Sequence, residues 1–160
     1  MAVELRWTCA LLQDLAPRVL YQALALRSQV FVLEQNCVFL DPDGVDLQDG
    51  VWHLLGHGSD GELMAYARLL APLSKGVMQA RPMISRVVTA PSARWLGLGR
   101  LLMVKAIEEC EDRWPGAAID INAQAHLQAF YERLGFVITS EPYDEDGILH
   151  VDMKREARRP

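Results

Sequence analysis

The stretch APSARWLGLGRLLM, residues 90–103, decides the fold of this chain. A proline lies near its start, Arg94 follows, and Gly97 and Gly99 stand two apart at the mouth of an apolar periodic run. From Gly99 onward, positions 99, 102, 103, 106, 107, 110 and 114 carry Gly, Leu, Met, Ala, Ile, Cys and Trp, one stripe at helical spacing. A helix of about four turns is expected there, ended by Trp114-Pro115-Gly116. A glycine inside a helix costs about 1 kcal/mol against alanine. Two of them at a helix start mean a sharp turn of the chain, or a backbone that something must touch.

Upstream, PMISRVVTA (82–90) is rich in β-branched residues and reads as a strand running into the loop. VWHLLGHG (51–58) and ELMAYARLLA (62–71) flank Ser59-Asp60-Gly61, a hairpin signal. VELRWTC (3–9) alternates apolar and polar residues, the period of a half-buried strand. From Pro17, Val19, Leu20, Ala23, Leu24, Arg27, Val30 and Phe31 recur at helical spacing. Residues 34–50, polar and turn-rich, read as a long loop.

Downstream, AAIDIN (117–122) is a short strand, and AHLQAFYERLG (125–135) a helix stopped by Gly135. FVITS (136–140) and ILHVDMKR (148–155) are two further strands around the acidic turn EPYDEDG. The order β-α-β-β-β-α-β-α-β-β predicts one α/β (α+β) domain. Its sheet is expected to be mixed, mostly antiparallel, with six to seven strands flanked by helices. Residues 1–154 are expected to form that domain and 155–160 a frayed tail.

Composition agrees with a globular domain: 160 residues, 51% hydrophobic, 23% charged. A formal net charge of −5 speaks against a phosphate-gripping nucleic-acid binder. No segment approaches eighteen apolar residues and no basic, then apolar leader opens the chain, so no membrane partner and a cytoplasmic location are expected. Cys9, Cys37 and Cys110 are too few and too scattered for a disulfide framework or a zinc site. The aspartates of DPDGVDLQD lack EF-hand spacing, since the twelfth position from Asp41 is Trp52. His53 and His57 would sit some ~13 Å apart on one strand. No metal is expected.

A strand, a loop of small residues and a helix start together form an anion site, because the first-turn N–H groups have no internal partner. Glycines at 97 and 99 would let a phosphate reach them, and Arg94 could clamp a further oxygen. The alternative is that the glycines only permit close helix–sheet packing. The loop lacks the Gly-Lys-Ser/Thr end of a Walker loop, and it follows a hairpin rather than the first strand of a dinucleotide fold.

Arg94-Trp95-Leu96-Gly97-Leu98-Gly99 resembles the R-x-x-G-x-G acetyl-CoA pyrophosphate loop of the GNAT N-acyltransferases. RVVTAP before it and AFYERLGF (129–136) after it resemble that family's fourth strand and late aromatic motif. FVLEQNC, AYARLL, ISRVV, AQAHLQAFY and EDGILH resemble its small bacterial ElaA-like branch. The resemblance implies strands 4 and 5 splayed apart, with the pantetheine arm of acetyl-CoA between them. It implies backbone contacts from Val87, Val88 and Thr89 to that arm, and from Leu96 to Arg100 to the pyrophosphate. It implies an amine, small or on a peptide, as acceptor.

Two positions depart from the pattern. Trp95 stands where the family often has glycine, and should face away from the phosphates. Gln124 stands where it often has asparagine, with Asn122 two residues earlier. Phe130 is expected beside the cofactor. Attack of an amine on a thioester needs a base, an oxyanion donor and a proton for the leaving thiolate. Tyr131 matches the family's acid, Val87 or Val88 could offer the oxyanion N–H, and Glu34, His150 and Glu145 are candidate bases. Tyr131 and His126 could equally be packing residues, and Arg86 could bind an acceptor carboxylate or a buried acid. The expected activity is acetyl-CoA-dependent N-acetyl transfer, by a monomer or homodimer. The alternative is a non-catalytic acyl-CoA-binding sensor.

Overall fold

The computed structural model describes residues 2–159. The strands are β1 (Arg6–Leu11), β2 (Val51–His57), β3 (Leu63–Leu70), β4 (Met83–Thr89), β5 (Ile119–Gln124), β6 (Val137–Ile138), β7 (Tyr143–Glu145) and β8 (Ile148–Arg155). The helices are α1 (Pro17–Arg27), α2 (Leu98–Arg113) and α3 (Gln128–Glu132). The sheet runs β1-β2-β3-β4-β5-β8-β6, with β7 also on β8. Every pairing is antiparallel except β4 with β5.

α1 and α2 both pack on β3 and β4. β3, and β2 between it and β1, are buried along nearly their whole length, which is why they read as continuous apolar runs. The stripe expected on α2 supplies Leu102, Met103, Ala106, Ile107 and Cys110 to the core, joined by Leu98. α1 runs on without a break into a π-helical segment, Ser28–Glu34, which ends at the first residue of the expected long loop.

The acidic stretch 141–147 is more than a turn. It contains β7, whose Glu145 pairs with Ile148. The two residues between them, Asp146 at φ 52° and Gly147 at φ 83°, both lie in the left-handed region. That is the signature of a type I′ hairpin. β6 and β7 pair with different parts of β8, as one interrupted edge strand, so eight strands fill seven positions. Arg155 closes β8 within the segment expected to fray, with its Nε donating to the Leu134 carbonyl at 3.0 Å.

β4 and β5 share a single parallel pair, Met83 with Asp120, and then part. A bulge marks where β4 turns away. Tyr66 of β3 faces Val88 and Arg68 faces Ser85, so Arg86 and Val87 together oppose Ala67. Arg86 takes φ 52°, a left-handed backbone. Bulges bend their strand and increase its twist. The V-shaped gap beyond the bulge opens a cleft.

Candidate active site

The cleft encloses about 460 Å³. Ser85, Arg86, Val87, Val88 and Thr89 of β4 form one wall, and Ile121, Asn122 and Gln124 of β5 the other. Tyr131 closes it from α3, His150 from β8, and Glu145 and Asp146 from the β7–β8 hairpin. Gln124 Nε2 donates to Gln35 Oε1 at 3.2 Å, and Cys37 Sγ lies 3.3 Å from the Asp146 carbonyl. The segment after the π-helical turn therefore straps across the gap and touches the wall opposite β4.

The mouth of the cleft meets the glycine loop, through Arg94. Gly97 is the residue before α2 and takes φ 73°, a conformation glycine adopts without steric penalty. No side chain caps the helix, which leaves its first N–H groups free for an anion. A Cβ on Gly97 would meet nothing within 4 Å, and one on Gly99 only Phe130 Cζ at 3.9 Å. Neither glycine is needed to let helix and sheet approach. The packing explanation fails on geometry; Gly97 serves the left-handed turn, and the backbone of the loop is open to an anion.

Trp95 also lies in the left-handed region, at φ 71°. For a non-glycine residue this costs about 1–2 kcal/mol. Its indole is fully exposed, so it stands clear of the loop's N–H groups. Arg94 Nη2 forms a 2.6 Å ion pair with Glu34. The two residues expected in separate roles, anion clamp and base, are here each other's partners. Glu34 stands at the mouth of the cleft and outside its walls.

Tyr131 is 7% exposed and packs edge-on against Phe130 and Phe136. Burial pushes its phenol up to about 12, so it holds its proton at neutral pH. His150 Nδ1 lies 2.8 Å from the Ile148 carbonyl oxygen. A carbonyl only accepts, so Nδ1 carries the proton and a neutral imidazole keeps Nε2 as its basic nitrogen. Glu145 Oε2 lies 3.5 Å from that Nε2, and the Tyr143 ring stacks on the imidazole.

A family model of the acetyltransferase (GNAT) domain matches residues 46–157. The chain belongs to the GNAT acetyltransferase family, in its ElaA-like branch. Protein ElaA of Escherichia coli is 44% identical over 144 residues, 89% of this chain and 91% of that one. A UPF0039 protein of Synechocystis is 38% identical over 94% of this chain and 95% of its own. The crystal structure of an acyl-CoA N-acyltransferase from Pseudomonas aeruginosa superposes with a TM-score of 0.89 at 43% identity, covering 95% of this chain and 99% of that one. GNAT membership makes acyl-CoA-dependent acyl transfer the reaction class of this chain.

Within this GNAT frame several candidates are engaged elsewhere. Asn122 Nδ2 donates to Asp152 at 2.6 Å and to the Tyr143 hydroxyl at 3.1 Å, so its amide is tied to β8 and β7. Gln124 is held by Gln35. His126 is exposed and outside the cleft walls. Of the two roles open to Arg86, a buried acid is the partner found: its Nε donates to Asp41 at 2.8 Å and its Nη2 to Asp43 at 3.3 Å.

That contact belongs to a larger network which sequence reasoning missed. Arg27 and Arg68, both almost fully buried, bind Asp41, Asp43 and Asp46. With Arg86 this makes three arginines against three aspartates. Burial alone would raise the Asp43 carboxyl, but the Arg68 and Arg86 guanidiniums outweigh it and bring it down to about 2. The aspartates of the turn-rich loop are thus counter-ions that pin the loop onto the β3–β4 face. Arg27, Arg68 and Arg86, each set among apolar neighbours, together with one acid-rich loop were the available signal.

Proposed function

We propose that the protein is an acetyl-CoA-dependent N-acetyltransferase acting on a primary amine by direct attack in a ternary complex. The observation that carries this reading is a cleft, opened by the β4 bulge, that leads from the uncapped start of α2 to Tyr131 and His150. The donor's pyrophosphate fits the free N–H groups from Leu96 to Arg100. Its pantetheine arm fits along the backbone of Val87, Val88 and Thr89.

An aliphatic ammonium has a pKa near ~10.4 and must lose its proton before it attacks. His150 is the base in this reading, because its Nε2 is unprotonated when neutral and Glu145 stabilises the imidazolium that forms. The amine lone pair forms the C–N bond, and the carbonyl oxygen takes up charge against a backbone N–H of Val87 or Val88. Collapse of that intermediate breaks the C–S bond. Tyr131 hydrogen-bonds the departing sulfur and passes it a proton, the new amide nitrogen returns its own proton to the Tyr131 phenolate, and His150 releases the proton it took to solvent. The overall change is one amide and one thiol formed from one amine and one thioester.

The test begins with calorimetric titration of the protein with acetyl-CoA, beside an Arg94→Ala, Gly97→Val double mutant. Micromolar binding, lost in the double mutant, is expected. An amine screen then gives the substrate for Tyr131→Phe, which should lower kcat by roughly 10²-fold with acetyl-CoA affinity nearly unchanged. A wild-type rate in that variant removes Tyr131 from the mechanism.

A further inference from the structure

Trp95 combines two features. Its backbone is left-handed at φ 71°, and its indole is fully exposed, so no neighbour packs on either ring face. Strained residues cluster at ligand clamps and active sites. Leu96 beside it is half-exposed as well, at 48%.

We infer that the Trp95 indole is a stacking platform for the nucleobase of the acyl-CoA donor. The inference rests on the donor placement proposed above. A CoA thioester has its pyrophosphate between the pantetheine arm and the nucleotide. With the thioester at Tyr131 and the pyrophosphate at the start of α2, the nucleotide lies on the solvent side of the loop. Trp95 stands there, two residues before Gly97. The left-handed backbone turns its side chain off the loop's N–H groups, which leaves them open to phosphate and the ring faces open to a base. Stacking of a base on an aromatic ring needs no hydrogen-bond complement, only a free face.

The experiment measures Kd for acetyl-CoA and for S-acetylpantetheine, which lacks the nucleotide, on wild type, Trp95→Phe and Trp95→Gly. Tryptophan emission is recorded in the same titrations. Trp95→Gly is expected to weaken acetyl-CoA about tenfold, and Trp95→Phe by no more than about threefold. Affinity for S-acetylpantetheine stays the same in all three. Acetyl-CoA quenches wild-type emission, and that quench is lost in Trp95→Gly. Glycine suits a left-handed backbone, so the variant melts no lower than wild type and a folding defect cannot imitate the loss. Equal acetyl-CoA affinity in wild type and Trp95→Gly overturns the platform and leaves the donor site standing. An equal loss with S-acetylpantetheine also overturns it, since that probe has no base. Failure of wild type to bind acetyl-CoA removes the donor site and the platform together.

Discussion

Gly97 and Gly99 stand two apart yet answer to different demands. Gly97 is required by its own backbone, since φ 73° is strained for any side chain. Gly99 has an ordinary helical place and open space beside it, with Phe130 no closer than 3.9 Å to an added Cβ. An alanine there should be neutral or stabilising by up to about 1 kcal/mol, because glycine is the poorer helix former. The same methyl would stand between a phosphate and the N–H groups. Gly99→Ala should therefore hold or raise the melting temperature and weaken acetyl-CoA by tenfold or more, on the order of 1.4 kcal/mol. Unchanged affinity in a well-folded Gly99→Ala would show that this position does not admit the pyrophosphate. The base assignment divides in the same way. His150→Ala should cut kcat by roughly 10²-fold. Glu34→Gln should act on donor affinity through Arg94 and leave kcat nearly intact; the reverse pattern would exchange the two roles.

At the level of elements, the loop from 41 to 46 is anchored in the core at its two ends, by Asp41 and Asp46. Asp41 is 2% exposed and bonds both Arg27 and Arg86. Removing one partner of a buried ion pair leaves an uncompensated charge and costs about 3–5 kcal/mol. Asp41→Ala should lower the unfolding free energy from urea denaturation by that much, while Asp49→Ala, at an exposed position of the same loop, should change it by less than about 0.5 kcal/mol. Equal effects would mean that the network contributes nothing specific. This loop also marks where the sequence stopped being legible. Strands β2 to β4, the α2 stripe and the glycine loop carry their signals within a dozen neighbouring residues, so periodicity alone located them. Asp41 meets Arg86 across 45 positions, and no local pattern carries such a pairing. β7 was hidden because Asp144 and Glu145 are poor strand formers; only its Asp146-Gly147 turn announces it. The gap between β4 and β5 rests on a bulge at Arg86, where a left-handed arginine gives no warning in sequence. Tyr131 and His150 were legible as residue types, and their meeting in one cleft was a matter of topology.

Across the whole molecule, the same buried network sets how stability responds to acid. His53 is 1% exposed, and its Nδ1 lies 2.6 Å from the Tyr66 hydroxyl. Burial lowers it to about 4, and the nearby Arg27 and Arg68 guanidiniums add to this against the pull of Asp46. A histidine in the unfolded chain titrates near ~6.5. Between those values the unfolded state binds a proton that the folded state refuses, so stability rises with pH. The contribution is complete above the unfolded value and is lost as pH falls from about 6.5 to about 4. A depression of that size corresponds to roughly 3 kcal/mol. His57, also lowered chiefly by burial, acts in the same direction. The carboxylates enter later: with Asp43 at about 2 and Asp46 depressed by Arg27 and Arg68 against the cost of burial, their share begins to fall only below about pH 4. Two acid limbs are expected, an upper one from histidine and a lower one from the arginine–aspartate network. Urea unfolding at pH 7, 5.5 and 4 should show wild type losing most of the histidine share, while His53→Gln, which has no proton to gain at that position, keeps only the shallower slope that His57 supplies. A wild-type profile no steeper than that of His53→Gln would mean that His53 already accepts its proton inside the fold, against the burial and the two arginines that surround it.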